Sequence, residues 1–325
     1  MSLSQHRTAL MGLAMLMVIA SHYGGWVMRY PGTDALGCWG VDLFLFLSAY
    51  GLAKGLHKHC EQSGTAPNWR RYWVKRWRRV WPLFALFSLL TTIVMAAPHF
   101  EYFNMLKDWV LRATTIAWWM PHSITPTDWY LSQLPLFYLL VPLLWPYMKQ
   151  HAWWTLFLTL VSVMLIMWSY TYLTRNEMHG AYTYALARAP SFVLGLCLAF
   201  RKPRWPLFLS SALIAALMAP VLYKCAIIPY LQIYTFAMPL LLFILRWCLA
   251  RMPWRVYRFF AIIGRHTLPL YCANLLTLHL LNRLPDASLG SRALTYVVAQ
   301  CLLVALFFLA NEQMQRWLAP NHLTR

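Results

Sequence analysis

The sequence predicts an all-α protein, a polytopic transmembrane helical bundle of about ten spans, and three observations carry that prediction. Of 325 residues, 60% are hydrophobic and only 11% charged, against about 45–50% and about 25% in a soluble domain. A soluble fold of this size always leaves many positions in water, so the apolar excess must face lipid. Apolar runs of about 17–23 residues recur along the chain, long enough at ~1.5 Å per residue for a hydrocarbon core of ~30 Å. Basic residues gather in alternate connections between these runs.

In chain order, the first span is expected at 8–28. It lacks an A-x-A cleavage pattern and therefore reads as a span, not as a removable signal. The second lies at 36–56 and the third at 80–97, after the basic segment NWRRYWVKRWRRVWP (68–82). The apolar stretch 102–120 is broken by Lys107, Asp108 and Arg112. It reads as an interfacial helix lying on the membrane, with a further span as the alternative. Spans then follow at 129–148, 153–173, 184–200, 206–223, 227–247, 259–281 and 293–314. With no repeat and no connection long enough to fold alone, residues 1–325 read as one domain.

Charge sets the orientation. The formal net charge of +19 would suggest nucleic acid in a soluble protein; here it reads as topology, with no nucleic-acid partner. With a cytoplasmic N-terminus, the inside connections 57–79, 149–152, 201–205 and 248–258, with Arg246 beside the last, hold 15 Lys or Arg (seven, one, three and four). The outside connections hold seven, namely Arg29, Lys107, Arg112, Arg175, Lys224, Arg283 and Arg292, and six of the nine acids. This positive-inside alternation predicts a multi-pass protein of the inner (plasma) membrane with both termini cytoplasmic. Seven scattered cysteines without a CxxC pair give little support to a disulfide framework or a zinc site, so no metal is expected.

Ionisable groups at membrane depth are costly and point to function. His22 falls in the last third of the first span and Asp42 early in the second, both near the extracytoplasmic face. A histidine there can take the proton of an attacking hydroxyl; the plain alternative is a hydrogen bond between helices. Asp42 could orient His22 and stabilise its imidazolium. On the cytoplasmic side Arg76 and Arg79, three apart, share a helix face before Pro82. The pair suits bidentate binding of a phosphorylated donor, with anchoring to anionic lipid as the alternative. Arg70, Arg71 and Arg78 read as lipid anchors. Trp129 and Tyr130 fit an aromatic belt, beside Ser132. Arg188, Arg265 and His266 fit snorkelling groups, and Asn274 fits helix packing near His279. Soluble-enzyme signatures such as GxSxG, HExxH and Walker A do not occur.

Several segments in order resemble the acyltransferase-3 family of bacterial membrane acyltransferases. MGLAMLMVIASHYG (11–24) is similar to the family's opening helix ending in histidine, and GVDLFLFLSAYGL (40–52) to its second helix. KRWRRVWPLF (75–84) resembles its RRxxRIxP pattern. WYLSQLPLFYLLVPLLW (129–145), SFVLGLCLAF (191–200) and IGRHTLPLY (263–271) resemble later segments. The resemblance implies a ten-helix core that moves an acyl group, often acetyl, from cytosolic acyl-CoA to a hydroxyl of an extracytoplasmic carbohydrate or lipid-linked glycan. It implies that His22 is functional and that Arg76 and Arg79 match the family's cytoplasmic arginines. Departures mark a divergent member. Met11 stands where the family places Arg, with Arg7 one turn earlier. The acid expected after WFL is absent from SQLPLF (132–137), Asn274 replaces a histidine, and Ala49 replaces a glycine. The rival expectations are a glycan or lipid transporter, with Pro135, Pro190 and Pro269 as possible kinks, or a catalytically inactive relative.

Overall fold

The computed structural model describes residues 3–30, 33–96, 102–120, 129–174, 180–201, 230–283 and 288–318. Among these residues the chain is helical, with no strand. Helix α1 (Leu3–His22) runs into a π-helical turn (Tyr23–Val27). There follow α2 (Asp34–Ser63), α3 (Trp69–Ala96), α4 (Tyr102–Ala113), α5 (Ile116–Trp119) and α6 (Trp129–Thr174). The described chain continues with α7 (Gly180–Phe200), α8 (Tyr230–Arg251), α9 (Trp254–Arg265), α10 (Thr267–Leu281) and α11 (Leu289–Leu318).

Five stretches are long and apolar enough to cross a membrane: Leu3–Val27, Ala35–Ser63, Trp69–Met95, Trp129–Met167 and Leu289–Leu318. Their outer faces stay bare; Leu302 is 68% exposed and Trp154 65%. Contiguous apolar surface on that scale has no place in water, and this is a membrane protein. The span expected at 206–223 lies outside the described residues.

Four features refine the linear reading. First, α2 and α3 extend well beyond the spans expected at 36–56 and 80–97, so most of the connection expected at 57–79 is helix, and only 64–68 joins the two. Gly64 closes α2 at φ +65°, its N–H donating to the Cys60 carbonyl at 3.0 Å, a left-handed cap that glycine adopts without a Cβ penalty. Asn68 starts α3, its side-chain oxygen accepting the Arg71 N–H at 2.8 Å. Second, α4 has 12 residues, about 18 Å of helix, too short to be a further span. Third, α6 breaks at His151 (φ −129°, ψ 44°), inside the connection read at 149–152. Fourth, the span expected at 259–281 is two helices, α9 and α10, parted at His266 (φ −114°, ψ 28°). Pro269 in the first turn of α10 suits that break: in a continuous helix its ring would crowd the Arg265 carbonyl, which it has no N–H to satisfy.

By mutual contact the chain forms two compact units, each assembled from separated segments. The first takes Met1–Val18, Ala35–Pro67 and Gln133–Arg265. Glycines set its helix crossings. A Cβ on Gly12 would strike the Phe260 carbonyl oxygen, and one on Gly264 the Thr8 carbonyl, so α1 and α9 touch backbone to backbone. Gly195 of α7 is held against the Phe46 carbonyl of α2 in the same way. Small residues at crossings are how helices gain contact where lipid offers no hydrophobic drive. Leu10, Met15, Leu43, Phe46, Phe137 and Phe192 fill the space between, with Phe137 and Phe192 stacked at 5.2 Å.

The second unit takes Ile19–Asp34, Asn68–Ser132 and His266–Arg325. Its α10 and α11 form an antiparallel hairpin: Asn274 meets Tyr296, while the earlier His266 meets the later Phe308. Helix α3 packs on this hairpin through Phe87 and Phe307. Indole N–H groups tie α3 to α4, Trp109 donating to the Ala85 carbonyl and Trp81 to the Ala113 carbonyl, each at 3.1 Å.

Candidate functional site

His22 is the last residue of α1, at the point where the backbone widens into the π turn. The local sequence, YGGWV, accounts for the change, because two adjacent glycines weaken the α-helical alternative. Met28 N–H donates to the Tyr23 carbonyl at 3.0 Å, the five-residue spacing of a π turn, a geometry that recurs at functional sites. The turn is also fastened from outside: Arg292 of α11 donates to the Trp26 carbonyl at 2.6 Å.

The half-buried His22 ring places Nδ1 in hydrogen bond with Oδ1 of Asn274, a fully buried residue of α10. Asn274 in turn donates from Nδ2 to the Tyr296 hydroxyl at 2.6 Å, the amide standing with its oxygen toward the imidazole. An amide oxygen only accepts, so Nδ1 of His22 carries the proton. In the neutral ring the lone pair therefore sits on Nε2, the form a general base requires. Tyr23 packs edge-on against Tyr296 at 5.3 Å, and Thr277, one turn after Asn274, bonds Gln300 at 3.2 Å. A histidine, an amide and a phenol thus form one chain across the second unit.

Asp42 lies in the first unit, on α2, completely buried. Its Oδ2 is ion-paired with Nη1 of Arg188 on α7, which is itself completely buried and also donates to the Cys38 carbonyl at 3.3 Å. Arg188 is therefore no snorkelling group: its charge is answered inside the protein. Where the sequence suggested Asp42 as the group orienting His22, the structure shows Asp42 engaged by Arg188 and the imidazole Nδ1 engaged by Asn274.

Arg76 and Arg79 belong to the second unit, one turn apart on α3, the first half-buried and the second exposed. Tyr130 and Ser132 are buried, and the Tyr130 ring meets Tyr271, three residues before Asn274, at 5.2 Å. Tyr130 therefore supports the helix that carries Asn274 in place of joining a lipid-facing belt. Met11 is core in the first unit, while Arg7 lies over Gly51 and donates from Nε to the Leu47 carbonyl at 2.8 Å. Sequence reasoning missed Tyr296 and Arg292. Their spacing of four residues on one face of α11 was a usable signal, but Arg292 was counted only as a loop charge.

Fold and site together define an α-helical membrane protein with a histidine-centred polar site built among its helices. The chain belongs to the acyltransferase-3 family: the family model described as an acyltransferase domain matches residues 9–312, nearly the whole chain. No curated protein and no solved structure matches it.

Proposed function

We propose that this protein is an O-acyltransferase of the inner (plasma) membrane. In this reading it moves an acyl group, acetyl in the first instance, from cytosolic acyl-CoA to a hydroxyl of an extracytoplasmic carbohydrate or lipid-linked glycan. About ten spans with both termini cytoplasmic complete the reading, supported by the alternation of basic connections. Nε2 of His22 takes the proton of the acceptor hydroxyl as its oxygen attacks the thioester carbonyl. The new C–O bond forms, the C–S bond breaks, and the coenzyme thiolate leaves with the proton that His22 returns. Arg76 and Arg79 hold phosphates of the coenzyme. Asn274 keeps the imidazole in the reactive tautomer. Asp42 is read as the counter-charge of Arg188, not as a participant in proton transfer.

The observation that carries this reading is the contact between His22 Nδ1 and Asn274 Oδ1, in a chain that an acyltransferase family model covers over residues 9–312. The test is incubation of membranes with acetyl-labelled acetyl-CoA, paired with glycan mass spectrometry of a deletion strain and its parent. The expected results are label on a glycan, loss of one acyl mass in the deletion strain, and no transfer by His22→Ala. Undiminished transfer by His22→Ala removes the base assignment, and a glycan profile unchanged by the deletion removes the carbohydrate acceptor.

A further inference from the structure

Helix α3 and the C-terminal end of α11 line an open, shallow cleft of about 410 Å³ within the second unit, in the ~300–1,000 Å³ range of small-molecule sites. Trp77, Trp81, Met314, Trp317 and Leu318 form its apolar wall, and Arg78 lies on its edge. Trp77 and Trp81, one turn apart, stack at 4.5 Å with only 13° between their planes, giving a flat surface. Trp317 is 86% exposed and Trp77 57%, so this wall faces outward. The cleft is held in shape from behind, because Gln315 donates to the Arg78 carbonyl at 3.1 Å and so fastens α11 to α3 at the level of the arginine.

The charge around it is one-sided. Arg70, Arg71, Lys75, Arg76, Arg78 and Arg79 all fall in the first three turns of α3. On the facing helix Glu312 is paired with Arg316 at 3.6 Å. An occupant must therefore be apolar over most of its length and negative at one end. Among the described residues, Arg78 and Gln313 are the lining side chains with polar groups other than indole N–H, too few to read a nucleotide base together with its phosphates. We propose that this cleft seats one anionic glycerophospholipid, with an acyl chain against Trp77, Trp81 and Trp317 and the phosphate on Arg78. Indole rings suit the junction of acyl chain and headgroup, and a basic cluster beside them selects negative headgroups. The residues that line it include neither a member of the His22 chain nor Arg76 or Arg79.

The test is native mass spectrometry of the full chain released from nanodiscs of phosphatidylcholine doped with phosphatidylglycerol. The expected result is retention of one phosphatidylglycerol at several-fold excess over its share of the bilayer. Arg78→Gln removes that headgroup preference while keeping the wild-type thermal midpoint, and Trp317→Ala lowers retention of both lipids. Equal retention of the two lipids by the wild-type chain, or an undiminished preference in Arg78→Gln, overturns the proposal. So does release of the bound lipid by coenzyme A at a concentration that leaves Trp317→Ala unaffected, which marks a nucleotide site. A dimer without bound lipid that Trp317→Ala dissolves makes the cleft a contact between copies of the chain, and also overturns it.

Discussion

The imidazole Nδ1 of His22 is bonded to the amide oxygen of Asn274, and that bond decides which nitrogen of the ring holds the lone pair. A carboxylate in the same place would fix the same tautomer and add a negative charge beside the ring; the amide fixes the tautomer alone.

Asn274→Leu removes the acceptor while keeping a side chain of similar size in a fully buried place. The ring then loses its preference for the reactive tautomer. The expected outcome is a fall in kcat of at least about tenfold, bounded by the ~10²–10⁴-fold that a general base contributes, with KM for the acyl donor unchanged. Steady-state kinetics with labelled acetyl-CoA reads this, and a raised donor KM at constant kcat contradicts it.

The pairing of Asp42 with Arg188 predicts a strongly non-additive pair of substitutions. Either Asp42→Leu or Arg188→Met alone leaves an uncompensated charge in a fully buried place, which costs about 3–5 kcal/mol. The double substitution is expected to recover most of that loss, since a well-packed apolar pair replaces a buried ion pair at little net cost. Thermal unfolding in detergent measures the stabilities. Acyl transfer by the double variant decides whether Asp42 enters the chemistry: retained transfer places it in the scaffold, and abolished transfer in a folded variant restores it to the site.

Glycine contacts give a graded stability series. Gly12→Ala and Gly264→Ala each drive a methyl into an opposing backbone carbonyl of the α1–α9 crossing, so each is expected to destabilise by about 1–3 kcal/mol, as overpacking does. Gly55→Ala is the control. Nothing lies within 4 Å of a Cβ there, and α2 gains about 0.5–1 kcal/mol from the better helix former. Midpoints of thermal unfolding should order Gly55→Ala above wild type and both crossing variants below it.

For Arg76 and Arg79 the conservative exchange is informative. Replacing both by Lys keeps the charge and removes the planar fork that binds phosphate bidentately. Donor KM is expected to rise by about tenfold per lost bidentate contact, roughly 1.4 kcal/mol each, with kcat retained. An unchanged KM would return both residues to lipid anchoring.

Much of the architecture was legible because solvent choice is written in composition. The apolar runs that begin at 8, 36, 80, 129 and 293 all fall in long apolar helices, and the connection at 149–152 contains the break at His151. What the one-dimensional pattern hid was hydrogen bonding and helix ends. Hydropathy ends a span where charge begins, but backbone bonding carries α2 to Ser63 and starts α3 at Trp69, through residues that are basic and still helical. The apolar run at 259–281 hid a break because hydropathy is blind to the missing N–H of Pro269.

The candidate site was legible residue by residue and illegible as a set of pairs. His22, Asp42 and Arg188 each stood out as ionisable groups in apolar surroundings. Which partner each takes depends on helices separated by up to 252 positions in sequence, and no local spacing encodes that. Asn274 stood out as a helix-packing group and as a departure from the family pattern, and its contact with His22 appears once its side chain is seen in place.

The π turn after His22 makes the C-terminal end of the first helix sensitive to length as well as to chemistry. Its extra residue shifts every following backbone group around the axis, and in that phase the Trp26 carbonyl reaches Arg292. Losing either glycine of YGGWV would rewind the segment by about 100° and turn that oxygen away. Insertions and deletions here therefore act like a misaligned gear, disengaging the Trp26 carbonyl from Arg292 without altering either side chain.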